Sequence, residues 1–308
     1  MQPNIIGLGE VAVDWVAQVD HFPKPDEKID SIYQELFPGG VTANYVTACS
    51  RLGVSTGFIG AAGDDNYGNF LLDDFRAEGV DSSFFLLKEA KKSPVNFILV
   101  VKETGEKIII QSPYMQSTRI EFTEIDLNYL ASAKLIHTTA IHLDTTLEVL
   151  KLAKANDVTV SLDLESQIAV RGWDALAPVI SLVDILMPNK EGARMLSQKD
   201  EIDDVGQFFL EQGVKIIVIT LGGEGCKIFT ESEIFNVPAF PIKPVDTTGA
   251  GDTFTGAFDI CHTINGWDLF ESARFANAAA AIKCLKLGAR TGMPRFKEVQ
   301  DFIEKWKD

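Results

Sequence analysis

Short apolar runs alternate with amphipathic stretches through the second half of this 308-residue chain, and that alternation restricts its fold more than any other feature. A continuous apolar run predicts a buried strand, whereas apolar residues three and four positions apart predict a helix. The predicted strands are 134–139, 158–162, 184–187 and 215–220, and the predicted helices are 145–155, 173–182, 190–196 and 205–212. Such alternation predicts an α/β fold with a mainly parallel sheet covered by helices on both faces. Ligands bind these sheets at the carboxyl ends of the strands.

The first half of the chain adds strands that have no helix directly paired with them. Residues 11–20 alternate between apolar and polar side chains, residues 29–37 read as a second strand, and residues 95–111 read as a hairpin. We expect these strands to form a small separate lid sheet whose face closes over a ligand or meets a second subunit, giving a homodimer through the lid. The lid strands are placed at about 11–37 and 95–112, within a single domain of 1–308.

Other segments complete the alternation. The remaining predicted strands are 4–8, 56–61, 83–87, 226–229 and 234–237, and the remaining predicted helices are 41–52, 69–78, 251–264, 269–287 and 297–306.

Charge and cysteine usage narrow the class of protein. The net charge of −16 argues against nucleic acid and anionic membrane surfaces as partners. The four cysteines sit among apolar residues without metal or redox spacing, so buried free thiols in a reducing compartment are expected: Cys49, Cys226, Cys261 and Cys284. The chain shows no signal peptide and no uncharged apolar run of bilayer length, so a cytoplasmic location is expected.

A glycine-rich stretch near the carboxyl end carries the strongest chemical signal: Asp246-Thr247-Thr248-Gly249-Ala250-Gly251-Asp252-Thr253-Phe254. A helix is predicted to begin near Gly251 or Asp252. Free backbone N–H groups and the positive end of the helix dipole make such a turn an anion site, and phosphate is the usual anion. The carboxylate of Asp252 is suitably placed there to accept a proton beside a bound phosphate. Acids are also favoured in the first turn of any helix, which is the alternative explanation for Asp252.

Several other features lie at predicted strand ends. Each alone is explained equally well by a turn or a surface residue. Asp14 is either a solvated edge residue or a ligand for substrate hydroxyls. The remaining features are Gly39-Gly40 with Asn44, Pro188-Asn189, and Thr220 with Gly222 and Gly225.

Together and in this order, these features resemble the ribokinase-like carbohydrate kinases, the PfkB family. The stretch 246–254 resembles the family's C-terminal signature, Gly39-Gly40-Val41-Thr42-Ala43-Asn44 resembles its N-terminal signature, and Gly288-Ala289-Arg290-Thr291-Gly292 is also family-like. The resemblance covers essentially the whole chain and implies a three-layer α/β/α fold with a small β-sheet lid. No Walker-type phosphate loop occurs, so the chain is not a P-loop kinase.

The resemblance implies an ATP- and Mg²⁺-dependent transfer of phosphate to a hydroxymethyl group of a small sugar, of the ribose, fructose or ketodeoxy-sugar type. Asp252 would be the general base, and the N–H groups of Gly249, Ala250 and Gly251 would stabilise the phosphoryl charge. By the same resemblance, residues of three further kinds are implied: for sugar binding Asp14, Gly39, Gly40 and Asn44; for nucleotide binding Asn189, Thr220, Gly222, Gly225 and Asn277; and for a monovalent cation such as K⁺, Asp246 and Thr248.

One departure from the family concerns Mg²⁺. The family often carries Asn-x-x-Glu where this chain has Asn189-Lys190-Glu191-Gly192, so the acid is one position early, a turn of roughly 100° on a helix. Glu191 either reaches the metal by a local shift or is a surface charge, with Mg²⁺ then held mainly by phosphates and water. Two alternative functions stay open: a nucleoside kinase of the same fold, and a sugar-binding homologue with impaired catalysis.

Overall fold

A nine-stranded, mostly parallel sheet forms the centre of the protein. The computed structural model describes residues 2–116 and 118–306. The strands of this sheet are β1 (Ile5–Leu8), β4 (Thr56–Gly63), β5 (Asp81–Lys88), β8 (Leu135–Thr138), β9 (Thr159–Leu164), β10 (Ile185–Pro188), β11 (Ile216–Thr220), β12 (Cys226–Phe229) and β13 (Ile234–Val237). Their order is β13-β12-β11-β10-β9-β8-β1-β4-β5, and β12 pairs antiparallel with both β11 and β13, while the other described pairings of this sheet are parallel.

Helices cover both faces of this sheet. They are α1 (Val41–Arg51), α2 (Asn66–Ala77), α3 (Leu127–Ala131), α4 (Leu143–Ala155), α5 (Ser166–Ala169), α6 (Trp173–Ile180), α7 (Lys190–Ser197), α8 (Ile202–Glu211), α9 (Ala250–Asp259), α10 (Leu269–Lys283) and α11 (Phe296–Glu304). Ile5 and Ile6, adjacent on β1, belong to two different apolar clusters, because successive strand residues point to opposite faces. One cluster packs under α1, α9 and α10, and the other under α4 and α8.

The four remaining strands form the second, smaller sheet. They are β2 (Ala12–Val19), β3 (Tyr33–Gly39), β6 (Val95–Val101) and β7 (Lys107–Ile110), in the order β3-β2-β6-β7. We call this sheet the lid. The three-layer α/β/α class with a mainly parallel sheet and a smaller second sheet is therefore confirmed.

The two faces of the lid differ in chemistry. Asp14, Asn96 and Lys107 face the central sheet across a cavity, whereas their strand neighbours Phe97 and Ile108 face away from it. Phe97 and Ile108 remain 48% and 43% exposed. Because Ile98 and Ile109 also line the cavity, the lid offers a mixed polar and apolar face to a ligand and an apolar face to the outside.

The ends of several elements differ from the sequence prediction. β3 continues through Pro38, opposite Val13, instead of breaking there. The helix predicted over 269–287 ends at Lys283, because the Cys284 carbonyl accepts hydrogen bonds from the N–H groups of Val245 and Asp246. The helix predicted over 251–264 begins at Ala250 and changes to a π-turn over Ile260–Ile264.

Two expectations drawn from composition can be compared with the structure. The four cysteines are buried and free, as predicted. Across residues 2–116 and 118–306, no helix combines the length and apolarity needed to cross a bilayer.

Candidate active site

A cavity of about 1030 Å³ lies between the lid and the carboxyl ends of the parallel strands. This is the edge of the sheet where ligands bind in open α/β folds. The central sheet and its helices contribute Asp163, Glu165, Asn189, Thr220, Gly222, Gly249, Gly251 and Asp252, and the lid contributes Asp14, Asn96, Lys107 and Gln111. Residues distant in sequence therefore meet around a space large enough for two small ligands.

The glycine turn at the start of α9 has the backbone geometry of an anion site. Gly249 has a φ of 79°, and an added Cβ would lie 2.5 Å from the Ala289 carbonyl oxygen, so only glycine fits there. A Cβ on Gly251 would meet nothing within 4 Å, so its backbone is open to the cavity. The N–H of Ala250 donates to the Thr247 carbonyl at 3.1 Å. The sequence analysis assigned the N–H groups of Gly249, Ala250 and Gly251 to phosphate. Because the Ala250 N–H already donates to Thr247, those of Gly249 and Gly251 are the more available for a bound phosphate.

Asp252 lies one residue beyond this turn and is 7% exposed. The Nδ2 of Asn44 donates a hydrogen bond to its Oδ2 at 2.7 Å. Burial, followed by the negative charge of Glu165, raises the pKa of Asp252 to about 7, against the lowering effect of the Asn44 hydrogen bond. A carboxyl group with a pKa near neutrality is suited to accept a proton during a reaction.

Asn44 is itself fixed by a buried arginine. The Nε of Arg290 donates to the Asn44 Oδ1 at 2.8 Å, and its other nitrogens bond Asp74 and the Gly39 carbonyl. Arg290 is only 5% exposed, so this connection is well shielded from water. Because Asn44 Oδ1 accepts from Arg290, its Nδ2 must point to Asp252.

The sugar-side residues predicted from the sequence meet at the base of the lid. Asp14 is 7% exposed and accepts a hydrogen bond from Asn96 Nδ2 at 2.9 Å, and burial raises the pKa of its carboxyl. A Cβ on Gly39 would lie 2.2 Å from Asp14 Oδ2, so glycine is required for that carboxylate to fit. Gly40, with a φ of 96°, begins α1 beside them. Gly40 and Asn44 both line the cavity.

The predicted nucleotide-side residues divide into two groups. Asn189, Thr220 and Gly222 line the cavity. Gly225 and Asn277 do not, and both have other contacts. A Cβ on Gly225 would lie 2.1 Å from the Val237 carbonyl, and Asn277 Nδ2 donates to the carbonyls of Val237 and Pro238, both at 3.1 Å. These contacts fix the loop that follows β13.

The departure from the family pattern at Asn189-Lys190-Glu191-Gly192 has a steric explanation. A Cβ on Gly192 would lie 2.8 Å from the Leu164 carbonyl oxygen, so no acidic side chain fits at this position. Glu191, one position earlier, lines the cavity but is exposed. Asn189 Oδ1 caps α7 by accepting from the Gly192 N–H at 2.7 Å.

Two carboxylates from the end of β9 face the cavity beside this segment. Asp163 is 7% exposed, and no hydrogen bond to it is found among the described residues. Burial first, and then the charge of Glu165, raises the pKa of Asp163 well above its usual range; burial also raises the pKa of Glu165. Within the part of the chain that the structure describes, no three Asp, Glu, His or Cys side chains are arranged to hold a metal ion. A divalent cation would thus gain one or two protein carboxylates here and the rest of its ligands from elsewhere.

Asp246 and Thr248 steady the turn that precedes α9. Asp246 Oδ1 accepts from the N–H and hydroxyl of Thr248 at 2.9 and 2.8 Å, and its Oδ2 accepts from the Gly288 N–H at 2.8 Å. Burial opposes the ionised form, but these hydrogen bonds and the charge of Lys283 outweigh it and lower the pKa of Asp246. The ionised carboxylate ties the turn to the segment that carries Arg290.

Comparison with known proteins agrees with this fold and identifies the family. The profile of the pfkB family carbohydrate kinases matches residues 2–295. The 5-dehydro-2-deoxygluconokinase of Clostridium perfringens is 28% identical, with 99% of this chain and 94% of the relative covered. The ribokinase structure of Thermotoga maritima has a TM-score of 0.85 at 29% identity, covering 98% of this chain and 99% of that one. An E. coli ribokinase II structure, solved with ATP and Mg²⁺, has a TM-score of 0.87 at 26% identity over 98% and 99% of the two chains.

A central parallel sheet with a lid over its carboxyl edge defines the ribokinase-like class of α/β enzymes. The chain belongs to the pfkB family of carbohydrate kinases, as the resemblance of its signatures implied. The named relatives act on different sugars according to their names, so membership sets the reaction class and leaves the sugar open.

Sequence reasoning did not single out several residues that the structure brings to the site. Arg290 stood within a family-like stretch, but nothing local showed that its side chain reaches Asn44. Asp163 and Glu165 come directly after the predicted strand 158–162, and that position could have marked them. Asn96 and Lys107 are the single polar residues of the apolar hairpin strands β6 and β7, and that isolation was the available signal.

Proposed function

We propose that this protein transfers phosphate from ATP to a hydroxymethyl group of a small sugar, of the ribose, fructose or ketodeoxy-sugar type. The observation that carries this proposal is the buried carboxylate of Asp252, held by Asn44 directly after an open glycine turn. Its position combines a proton acceptor with an anion site, as in-line phosphoryl transfer requires. The relative solved with ATP and Mg²⁺ supports the choice of phosphoryl donor.

In the proposed mechanism, Asp14 and Asn96 hold sugar hydroxyl groups while the lid covers the cavity. Asp252 accepts the proton of the attacking hydroxyl, and the oxygen attacks the terminal phosphorus in line while the bond from that phosphorus to the bridging oxygen breaks and ADP leaves. The N–H groups of Gly249 and Gly251, at the positive end of α9, stabilise the charge on the transferring group. Lys107, which donates to Thr248 Oγ1 at 3.0 Å, adds a positive charge from the lid.

The cavity favours a free sugar over a nucleoside. Among the described residues, no aromatic side chain lines it, so a base has no stacking surface. The lid presents polar groups from Asp14, Asn96, Lys107 and Gln111, which suit sugar hydroxyls, beside the aliphatic side chains of Ile98 and Ile109. The intact Asp252 and its glycine turn argue against a homologue that only binds sugar.

A coupled assay of ADP release tests the proposal. The panel contains ribose, fructose, ketodeoxy sugars and nucleosides, with Asp252→Asn as the control. Turnover of one sugar well above the control is expected. If only nucleosides are turned over, the substrate class is wrong, and if no compound exceeds the control, the proposed reaction itself is rejected.

Mg²⁺ is proposed as the metal, and Asp163 and Glu165 fit it as carboxylate donors that otherwise lack strong cationic partners. When bound, Mg²⁺ would neutralise charge on the ATP phosphates. Glu165→Gln is expected to raise the Mg²⁺ concentration for half-maximal rate by about tenfold or more. Glu191→Gln is the matched variant, and because Glu191 is exposed its titration should match the wild type. A larger shift in Glu191→Gln than in Glu165→Gln would reverse the assignment.

We propose that the apolar outer face of the lid pairs two copies of the chain. Phe97 and Ile110 lie opposite each other on β6 and β7, and they are 48% and 58% exposed. Covering such side chains is favourable because it removes apolar surface from water. Light scattering at micromolar concentration should give the mass of two chains for the wild type and of one chain for the double variant Phe97→Lys, Ile110→Lys. Val170→Lys, at a 67% exposed apolar residue elsewhere, should leave the mass unchanged, and a monomeric wild type would exclude the dimer.

A further inference from the structure

A fully buried lysine lies beneath the turn that precedes α9. Lys283, the last residue of α10, has 0% exposure, and its Nζ donates to the Asp246 carbonyl oxygen at 2.8 Å. An ammonium group out of reach of water is costly unless nearby groups compensate its charge. Burial lowers the pKa of Lys283, and the carboxylate of Asp246 opposes this effect, with a smaller contribution from Asp252. The carboxyl-terminal end of α10 also favours a positive charge.

The same turn is where the family resemblance implied a monovalent cation, at Asp246 and Thr248. The residues present do not fit such an ion. An ion such as K⁺ needs several free oxygen ligands, yet Lys283 Nζ lies 2.8 Å from the Asp246 carbonyl oxygen. Lys107 Nζ lies 3.0 Å from Thr248 Oγ1, and that hydroxyl donates its proton to Asp246 Oδ1. A metal cation at these oxygens would face two ammonium groups at close range, and like charges repel.

We propose that the Lys283 ammonium is the built-in cation of this turn and that the kinase works without a bound monovalent metal ion. Lys283 acts as a positioning residue, since its hydrogen bond holds the Asp246 backbone and its charge acts on Asp252, directly after the Gly249–Gly251 turn. A tethered ammonium supplies the positive field that a bound ion would otherwise supply. It also holds the backbone N–H groups in place before the phosphate binds.

The loop contacts around Lys283 support this assignment. The N–H groups of Val245 and Asp246 both donate to the Cys284 carbonyl, at 2.8 and 3.2 Å, so the turn is docked on the end of α10. A Cβ on Gly292 would lie 2.4 Å from the Lys283 carbonyl oxygen, so the following loop closes over the lysine. The backbone of Lys283 is therefore held between this loop and the turn whose Asp246 carbonyl accepts from its Nζ.

The inference rests on the kinase reaction, so its test combines rates with direct measurements of ion binding. Initial rates of the wild type are compared in tetramethylammonium, K⁺ and NH₄⁺ salts at equal ionic strength. The wild-type rate is expected to change by less than about twofold between these salts. Neither the melting temperature nor the ²⁰⁵Tl⁺ resonance should indicate a bound monovalent ion in the wild type.

Lys283→Met removes the charge and keeps most of the side-chain volume. In tetramethylammonium salts its rate is expected to fall by about 100-fold or more, because the turn loses its positive group. Added K⁺ or NH₄⁺ should restore part of that rate and raise the melting temperature, which a purely structural defect would not allow. Lys286→Met, an exposed lysine three positions on, should behave as the wild type in every salt.

Two results would overturn the inference: activation of the wild type by K⁺ with saturable Tl⁺ binding, or full activity of Lys283→Met without a small cation. Should Lys283→Met fail to fold, Lys283→Arg and the wild-type ion measurements still decide the matter. Should no sugar be turned over, the Tl⁺ and melting measurements report on the cation independently of the proposed reaction.

Discussion

Asp252→Asn should lower kcat by about 100- to 10,000-fold, because the variant has no group that can accept the hydroxyl proton. The amide has nearly the same shape as the carboxylate, and its oxygen can still accept the hydrogen bond from Asn44 Nδ2. The sugar dissociation constant and the melting temperature should therefore stay close to those of the wild type. Rates come from the coupled ADP assay and sugar affinity from calorimetry.

Asp144→Asn is the matched control for this prediction. Asp144 is also an acid in the first turn of a helix, α4, but its side chain is 90% exposed. If Asp252 were an ordinary first-turn acid, both variants would have similar, small effects. Near-normal turnover in Asp252→Asn would reject the assignment of the base.

The pH dependence of the wild type checks the same residue. Burial, followed by the charge of Glu165, raises the pKa of Asp252 to about 7, so the carboxyl is protonated and inactive as a base below that pH. The value of kcat/KM should rise with pH through about 7 and then level off. This rise should be absent from the residual activity of Asp252→Asn.

Arg290→Met should lower the free energy of unfolding by about 3–5 kcal/mol, because it leaves the half-buried Asp74 carboxylate without its cation. The substitution also frees Asn44 Oδ1, so the amide no longer has a fixed direction toward Asp252. Activity should therefore fall even at temperatures where the variant stays folded. Urea unfolding, followed by circular dichroism, measures the stability change.

Arg76→Met controls for the loss of an ion pair as such. Arg76 and Asp73 pair on the surface of α2, with side chains 64% and 75% exposed, and such pairs contribute about 0–1 kcal/mol. Arg290→Lys, which keeps the charge without the planar fork, should recover part of the stability and less of the activity. A stability loss in Arg290→Met no larger than that in Arg76→Met would contradict the role of the buried arginine.

The sequence was sufficient for the layers of the fold because their signal is local. Apolar runs in β9 to β11 and the helical spacing between them identify a parallel sheet without knowledge of any contact. The grouping of the unpaired strands into a lid was also right, since strands without helices need another partner. The end of α10 at Lys283 was not predictable, because it depends on the distant Val245 and Asp246.

Fewer features of the site than of the fold could be predicted from the sequence, and two glycines illustrate the reason. Gly251 and Gly225 look alike in the sequence, as small residues near a strand or helix end. In the structure, Gly251 is open to the cavity, whereas Gly225 makes room for the Val237 carbonyl. A glycine shows that space is needed, and only the fold shows whether a ligand or the chain itself fills it.

The contacts of Arg290 also determine when the site can assemble during translation. Chains emerge from the ribosome amino end first, and early segments can fold before later ones exist. Translation therefore delivers Asn44 early, then Asp252, and the guanidinium that orients their hydrogen bond only near the end of the 308 residues. A chain that still lacks Arg290 thus has no group to orient Asn44 toward Asp252, and synthesis of the segment that carries Arg290 completes the proposed phosphotransfer centre.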